Sequence, residues 1–216
     1  MGKTILSPER KKAIKKVNIG KQIIFCEGMT EKHYLDYFIN IINKNKFTDV
    51  RVETESANGN AKKVLKFAEE FLTQEENNRK YLNYKKSLIF DCDAPKSIKT
   101  VISEMQASER EYVLLVSNYL FEIWLLMHFE IVNVKLTKRK IYEKLSEYLA
   151  NGYSKADAGI IREIIQQGNI EEAIRNATEL TEIYRSAGKT IGRDIEQMNP
   201  FTNVHELIEQ FMAEIS

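Results

Sequence analysis

The apolar positions change rhythm half-way along the chain. In the first half, short continuous apolar runs alternate with stretches whose apolar residues recur three or four positions apart. Residues 22–26 (QIIFC), 87–90 (SLIF) and 112–116 (YVLLV) are β-prone runs, and 50–54 is a weaker one. Between them, a helix is expected from Thr30, as N-cap, to about Lys44, with Tyr34, Phe38, Ile42 and Leu35, Ile39 at i+4 spacing. A second is expected over 61–73, with Val64, Ala68, Phe71 and Leu72 on one face, and a third through Ile98, Val101, Ile102 and Met105. The order is βαβαβαβ. The runs do not alternate polar with apolar, so the strands should be buried on both faces, in a parallel sheet with helices on each side. Beyond residue 120 the strand signal fades, and 121–129, 141–150, 158–167, 171–184 and 204–215 all read as helices. The expected class is α/β, a Rossmann-like parallel sheet flanked by helices with a C-terminal helical part.

Three segments follow from this pattern: a basic N-terminal arm (1–21), an α/β domain (22–120) and a helical part (121–216) packed on it. No linker composition marks the boundary near 117–121, so the last two are expected to share a core. Composition narrows the class further. The 216 residues are 43% hydrophobic and 29% charged, with two Cys, which excludes a disordered chain and a disulfide scaffold. No apolar run reaches the roughly 18 residues a bilayer span needs, and residues 1–20 lack the apolar core of a secretory signal. The expectation is a cytoplasmic protein with no membrane contact. Net charge is +1, yet residues 1–21 hold seven basic side chains against Glu9 alone. Such an arm ahead of a slightly acidic body suits either contact with a phosphate backbone or a solvated tail.

Ligands of parallel sheets bind outside the carboxyl ends of the strands. Two acidic motifs fall there: Glu27-Gly28 after the first strand and Asp91-x-Asp93 after the third. Gly28 is expected to permit a sharp turn and close approach of a ligand, and the next helix aims its N–H groups at the same region. Three gathered carboxylates repel one another unless a cation joins them. Oxygen ligands without a His or Cys cluster suit Mg²⁺ or Mn²⁺ rather than zinc. Acids at strand ends are also common turn residues, so the pattern alone leaves a metal site facing a phosphate-bearing substrate and a structural turn both open.

The pairing of Glu-Gly with a later Asp-x-Asp resembles the Toprim domain. More specifically, the chain resembles the RloB-like family, also described as the second component of the AbiL abortive-infection system. The matching pieces are Cys26-Glu27-Gly28-Met29-Thr30-Glu31-Lys32, Phe90-Asp91-Cys92-Asp93, the run 117–129 (SNYLFEIWLLMHF), Gly152-Tyr153-Ser154-Lys155 and the segment 199–205 (NPFTNVH). They keep family order across 22–208. One departure is Tyr119, where the family usually has Pro, which leaves the local turn open. The resemblance implies a Toprim-like sheet, with Glu27 as catalytic acid or base or metal ligand, and Asp91 and Asp93 holding Mg²⁺ or Mn²⁺. It implies a nuclease or effector in an anti-phage system, acting on nucleic acid, with an ABC-type ATPase encoded nearby as partner and a homo-oligomer compatible. A non-catalytic subunit binding nucleic acid or the ATPase is the alternative. An Asp-nucleophile phosphatase of the haloacid-dehalogenase type ranks last, because its Asp-x-Asp ends the first strand and is followed by Thr or Val, not Ala94-Pro95.

The remaining motif residues divide between structure and chemistry. Glu122, in a first helical turn, reads as a further metal-facing carboxylate or as a dipole partner. Lys155 reads as a neutraliser of the scissile phosphate or as a surface lysine. Lys32, a cation near a helix N-terminus, hints at a nearby phosphate. Ser117 and Asn118 bond phosphate or cap a helix. Asn203 with Glu206 has capping-box spacing. Trp124, Leu125 and Phe129 read as core, His128 as structural or as a support behind the site residues, and Cys26 and Cys92 as small buried residues on opposite faces. Lys135, Lys138, Arg139 and Lys140 form a second basic cluster, flanking a nucleic-acid groove or simply solvated.

Overall fold

The computed structural model describes residues 19–44, 50–93 and 95–216, so most of the basic arm lies outside the described residues. The first half forms β1 (Lys21–Cys26), α1 (Met29–Ile42), β2 (Arg51–Ser56), α2 (Ala61–Thr73), α3 (Glu75–Tyr81), β3 (Lys85–Asp91), α4 (Pro95–Ala107) and β4 (Tyr112–Asn118). The second half forms α5 (Glu122–Leu126), α6 (Lys138–Tyr148), α7 (Ala158–Gln167), α8 (Ile170–Ser186), α9 (Ile191–Asp194), β5 (Phe201–Thr202) and α10 (His205–Ile215). The sheet order is β2-β1-β3-β4-β5; the first three pairings are parallel and β4–β5 is antiparallel. The fold is α/β and Rossmann-like.

The burial pattern explains the continuous apolar runs. In β1, Ile23 and Phe25 enter one core while Ile24 and Cys26 enter the other. The first core is closed by α2 and α4 through Val64, Leu72 and Val101. The second is closed by α1 and the C-terminal helices through Leu35, Trp124, Ile164 and Phe211. Cys26 and Cys92 are buried on opposite faces, as expected. Helix α1 therefore covers one face and α2 the other, and the winding reverses between the neighbours β1 and β3. A crevice opens at such a reversal, outside the carboxyl ends of both strands. Glu27 and Asp91 stand there.

Three local expectations change, and a turn left open is defined. Thr30 is not the N-cap of α1; Gly28 is, and Thr30 lies buried as the second residue of the helix, its Oγ1 accepting the Ala156 N–H at 3.1 Å. The helix expected over 121–129 is only α5, ending in turns at 127–129. Asn203 does not cap α10. Its Oδ1 instead accepts the Val116 N–H (2.7 Å) and its Nδ2 donates to the Leu114 carbonyl (2.9 Å), so its amide extends the ladder on β4. The turn at Tyr119 is made with a cis Asn118–Tyr119 peptide, and Asn199–Pro200 is cis as well.

His128 is structural in the described fold. It is buried, its Nε2 lies 3.0 Å from the Tyr34 hydroxyl, and burial pushes its pKa down to about 4. Its carbonyl accepts the Asn169 N–H at 2.8 Å, tying α5 to the start of α8. Gly168, between α7 and α8, is where this packing is tightest. A Cβ there would sit 2.6 Å from His128 Cβ and 2.8 Å from the Ile164 carbonyl oxygen. Neither neighbour is the free end of a flexible side chain. Gly168→Ala is therefore expected to cost about 1–3 kcal/mol, as overpacking does. Urea unfolding checks this; an unchanged midpoint would mean the α7–α8 junction can relax.

Candidate active site

The site is built from the strand ends outward. Glu27 is the first residue past β1, and its own N–H still bonds to the Ile89 carbonyl at 3.0 Å, so the ladder fixes where its side chain starts. Glu27 Oε2 accepts the Asp91 N–H at 3.1 Å, which spans the crevice from β1 to β3. Asp91 is the last residue of β3 and is buried; its Oδ1 accepts the Phe121 N–H at 2.7 Å. That bond draws in the turn after β4, and the next residue is Glu122. Both acids are thus aimed by a backbone N–H of a neighbouring segment, Glu27 by the end of β3 and Asp91 by the turn after β4.

Glu122 is fully buried. Its Oε1 accepts the hydroxyls of Tyr153 (2.9 Å) and Tyr142 (3.2 Å), and the Lys155 ammonium is 3.8 Å away. Its Oε2 has no partner among the described residues. Glu31, also buried, accepts the Gly28 N–H at 3.1 Å from the first turn of α1. This is the half of a capping box that a glycine N-cap allows. Gly28 itself is extended (φ −143°), so no special turn requires a glycine; a Cβ would stand 3.2 Å from Glu31 Oε2. What the glycine permits is the close seat of that carboxylate.

The electrostatics confirm that these acids share one region. Burial, above all, pushes the Glu27 carboxyl up to about 8; Glu31 and Asp93 add to the rise, while the Asp91 N–H and Lys155 oppose it. Asp91 is held well above the usual carboxylate range by burial and then by Glu31, Glu122 and Glu27. Glu31 is raised by burial and by Glu122. For Lys155, burial works to lower the pKa, but the field of Glu122, Asp91, Glu31 and Glu27 outweighs it and the pKa rises. Four acids around one ammonium leave an uncompensated negative charge, which bound protons relieve.

Not every expected residue joins the group. Asp93 is exposed and reaches Glu27 only through its field. Among the described residues, no group of three His, Cys, Asp or Glu side chains is arranged to hold a metal ion, so the set of Glu27, Asp91 and Asp93 is not preformed. Lys32 does not face the site. Its ammonium donates to Asp36 Oδ2 and Thr54 Oγ1, both at 2.9 Å, and is neutralised there. Ser117 and Asn118 are buried and bond to Thr202 Oγ1 and the Ile195 carbonyl. Arg139 and Lys140 pair with Glu143, whereas Lys135 and Lys138 line a cleft of about 560 Å³ beside Asp93.

Three residues of the site escaped the sequence reading: Glu31, Tyr142 and Tyr153. Tyr142 sits in an amphipathic repeat like many others. Glu31 and Tyr153 had a signal, their places beside Glu27 and Lys155 in the family motifs.

The family model described as "RloB-like protein" matches residues 22–211. The chain belongs to the RloB-like family. Every acid of the site, and Lys155, lies inside the matched stretch of this RloB-like chain. No curated protein and no solved structure matches it. Among the described residues, no helix is long and apolar enough to cross a membrane.

Proposed function

We propose that this RloB-like chain is a Toprim-type nuclease dependent on Mg²⁺ or Mn²⁺. It would hydrolyse phosphodiester bonds of DNA or RNA, tRNA included, as the effector of an anti-phage, abortive-infection system with an ABC-type ATPase partner. The observation that carries this is the convergence of Glu27, Glu31, Asp91 and Glu122 on Lys155 at the winding reversal of the sheet. The donor set suits a hard dication, being oxygen only, and the buried Glu122 Oε2 lacks a partner among the described residues. Glu27 and Asp91 would hold the ion, with Asp93 at the solvent edge. Bound there, such an ion would polarise the phosphate and make water a better nucleophile.

The chain's own residues supply the rest. Glu27, at the carboxyl end of β1, would take a proton from the attacking water at its carboxylate. Lys155, half-exposed beside Glu122, neutralises charge on the phosphate. Tyr142 and Tyr153 hold Glu122 in one orientation through its Oε1. The reading is tested by incubating the protein, with and without the ATPase, with DNA, RNA and tRNA in Mg²⁺, Mn²⁺ or EDTA. Cleavage that needs the metal supports it. Cleavage that persists in EDTA, or none on any substrate even with the ATPase, overturns it. The backbone bonds to Glu27, Asp91 and Glu31 favour one second reading, a non-catalytic subunit whose acids brace the strand ends.

A further inference from the structure

We infer that the cleft beside Asp93 is a binding site for an unpaired base of a nucleic-acid strand, so that this protein takes single-stranded or looped nucleic acid in preference to duplex. The inference rests on the proposed nuclease reading for the chemistry next door, but not for the binding it predicts. The cleft encloses about 560 Å³ and is lined by Asp93, Asn118, Tyr119, Lys135, Lys138 and Asn199, among others. That volume falls in the range of small-ligand pockets, roughly 300–1,000 Å³, and suits one nucleotide.

Four features select this ligand. First, the cleft borders the strand end that carries Asp91, since Cys92 and Asp93 line it. Asp93 lines it and acts on Glu27, while Lys138 lines it and lies 5.5 Å over the ring of Tyr142, whose hydroxyl holds Glu122. A nucleotide seated in it has its backbone beside the candidate reacting centre. Second, Lys135 and Lys138 are exposed on the rim, where phosphates of a passing strand would run. Of the two lining acids, Glu196 is already paired with Lys99 at 3.3 Å. Third, Tyr119 supplies a half-buried aromatic ring to the lining, and ring stacking is how proteins hold bases without regard to sequence. Fourth, Asn199 adds a side-chain amide to the lining, a group able to donate to and accept from a base edge. Bases in a duplex are stacked and paired, and must leave the stack to enter such a pocket.

The test is binding in EDTA, where no metal-dependent cleavage intervenes, read by fluorescence anisotropy at low salt. Three labelled probes are compared: a short single strand, its duplex, and a strand of the same length made of abasic units. The single strand should bind about ten-fold tighter than either of the others, the scale of stacking one or two bases. Leu136 also lines the cleft, and Leu136→Trp, which fills it, should remove that advantage. The double variant Lys135→Ala/Lys138→Ala should weaken all three probes and flatten the salt dependence. Equal affinity for single strand and abasic strand, or for single strand and duplex, overturns the inference whatever the variants do. Should the single-strand preference hold while no substrate is cut, the nuclease reading falls and the cleft stands. Should duplex and single strand be cut equally, the reverse follows.

Discussion

Glu27→Gln is expected to lower phosphodiester cleavage on the order of 10³-fold, the scale of losing a general base, and at the same time to stabilise the metal-free protein at pH 8. The opposite signs come from one cause. The Glu27 carboxyl is raised from 4.5 to about 8, chiefly by burial. Between those values the folded chain keeps a proton that the unfolded chain releases. The stability tied to this group is therefore complete below pH 4.5 and is lost as pH rises towards and through 8. Asp91 and Glu31 are shifted in the same direction, so the wild-type protein without metal should weaken steadily over that window. Gln carries no charge to bury, and its amide oxygen still accepts the Asp91 N–H. The gain at pH 8, discounted for the partial exposure of Glu27, is on the order of 2–3 kcal/mol, or roughly 5–10 °C in Tm for a chain of this size. At pH 5 the two proteins should melt together. Thermal unfolding at the two pH values, beside the cleavage assay, reads both effects. An unchanged Tm difference between pH 5 and pH 8 would show that the Glu27 carboxyl is not buried charge at all. Full cleavage by the variant would remove Glu27 from the chemistry.

Asn203→Ala should produce a large loss of stability although it lies outside the site. Asn203 is buried, and its side-chain amide does the work of a further strand against β4, accepting from Val116 and donating to Leu114. Truncation leaves an N–H and a carbonyl of β4 without those partners. At about 1–3 kcal/mol for each unsatisfied group, a loss of roughly 3 kcal/mol is expected, or about 6–12 °C in Tm. Asn203→Asp sharpens the test. The carboxylate still accepts from Val116 but can no longer donate to the Leu114 carbonyl, so it should not rescue stability. Either variant melting within a degree of wild type would mean that β4 finds other partners. The site should feel the change too, because β4 leads into the turn where the Phe121 N–H fixes Asp91.

The strands of the α/β half were legible because burial on both faces leaves a mark that needs no tertiary knowledge. QIIFC, SLIF and YVLLV admit no polar face, and β1, β3 and β4 coincide with them to within a residue or two. Helices α2 and α7 match the periodic stretches to the residue, since Asn60 and Asp157 cap them from their own sequence. Helix α3, with the polar sequence EENNRKY, and the two-residue β5 carry no such mark. Thr30 and Asn203 were misread for a related reason. Both have the residue type of a cap, but each spends its side chain on a segment far away in the chain, at Ala156 and on β4.

By itself, then, the sequence determined a parallel α/β sheet, the strand-end positions of Glu27 and Asp91, and the family. It did so because alternation, helical period and strand-end motifs are local properties of the chain. Only the tertiary structure decided which acids share a field. It brought Glu31 and Glu122 in, left Asp93 at the edge, turned Lys32 away, and closed Tyr142, Tyr153 and Lys155 around Glu122. Charge interactions act through space over several ångströms, and chain segments 30 or 100 residues apart meet there only once both cores have packed.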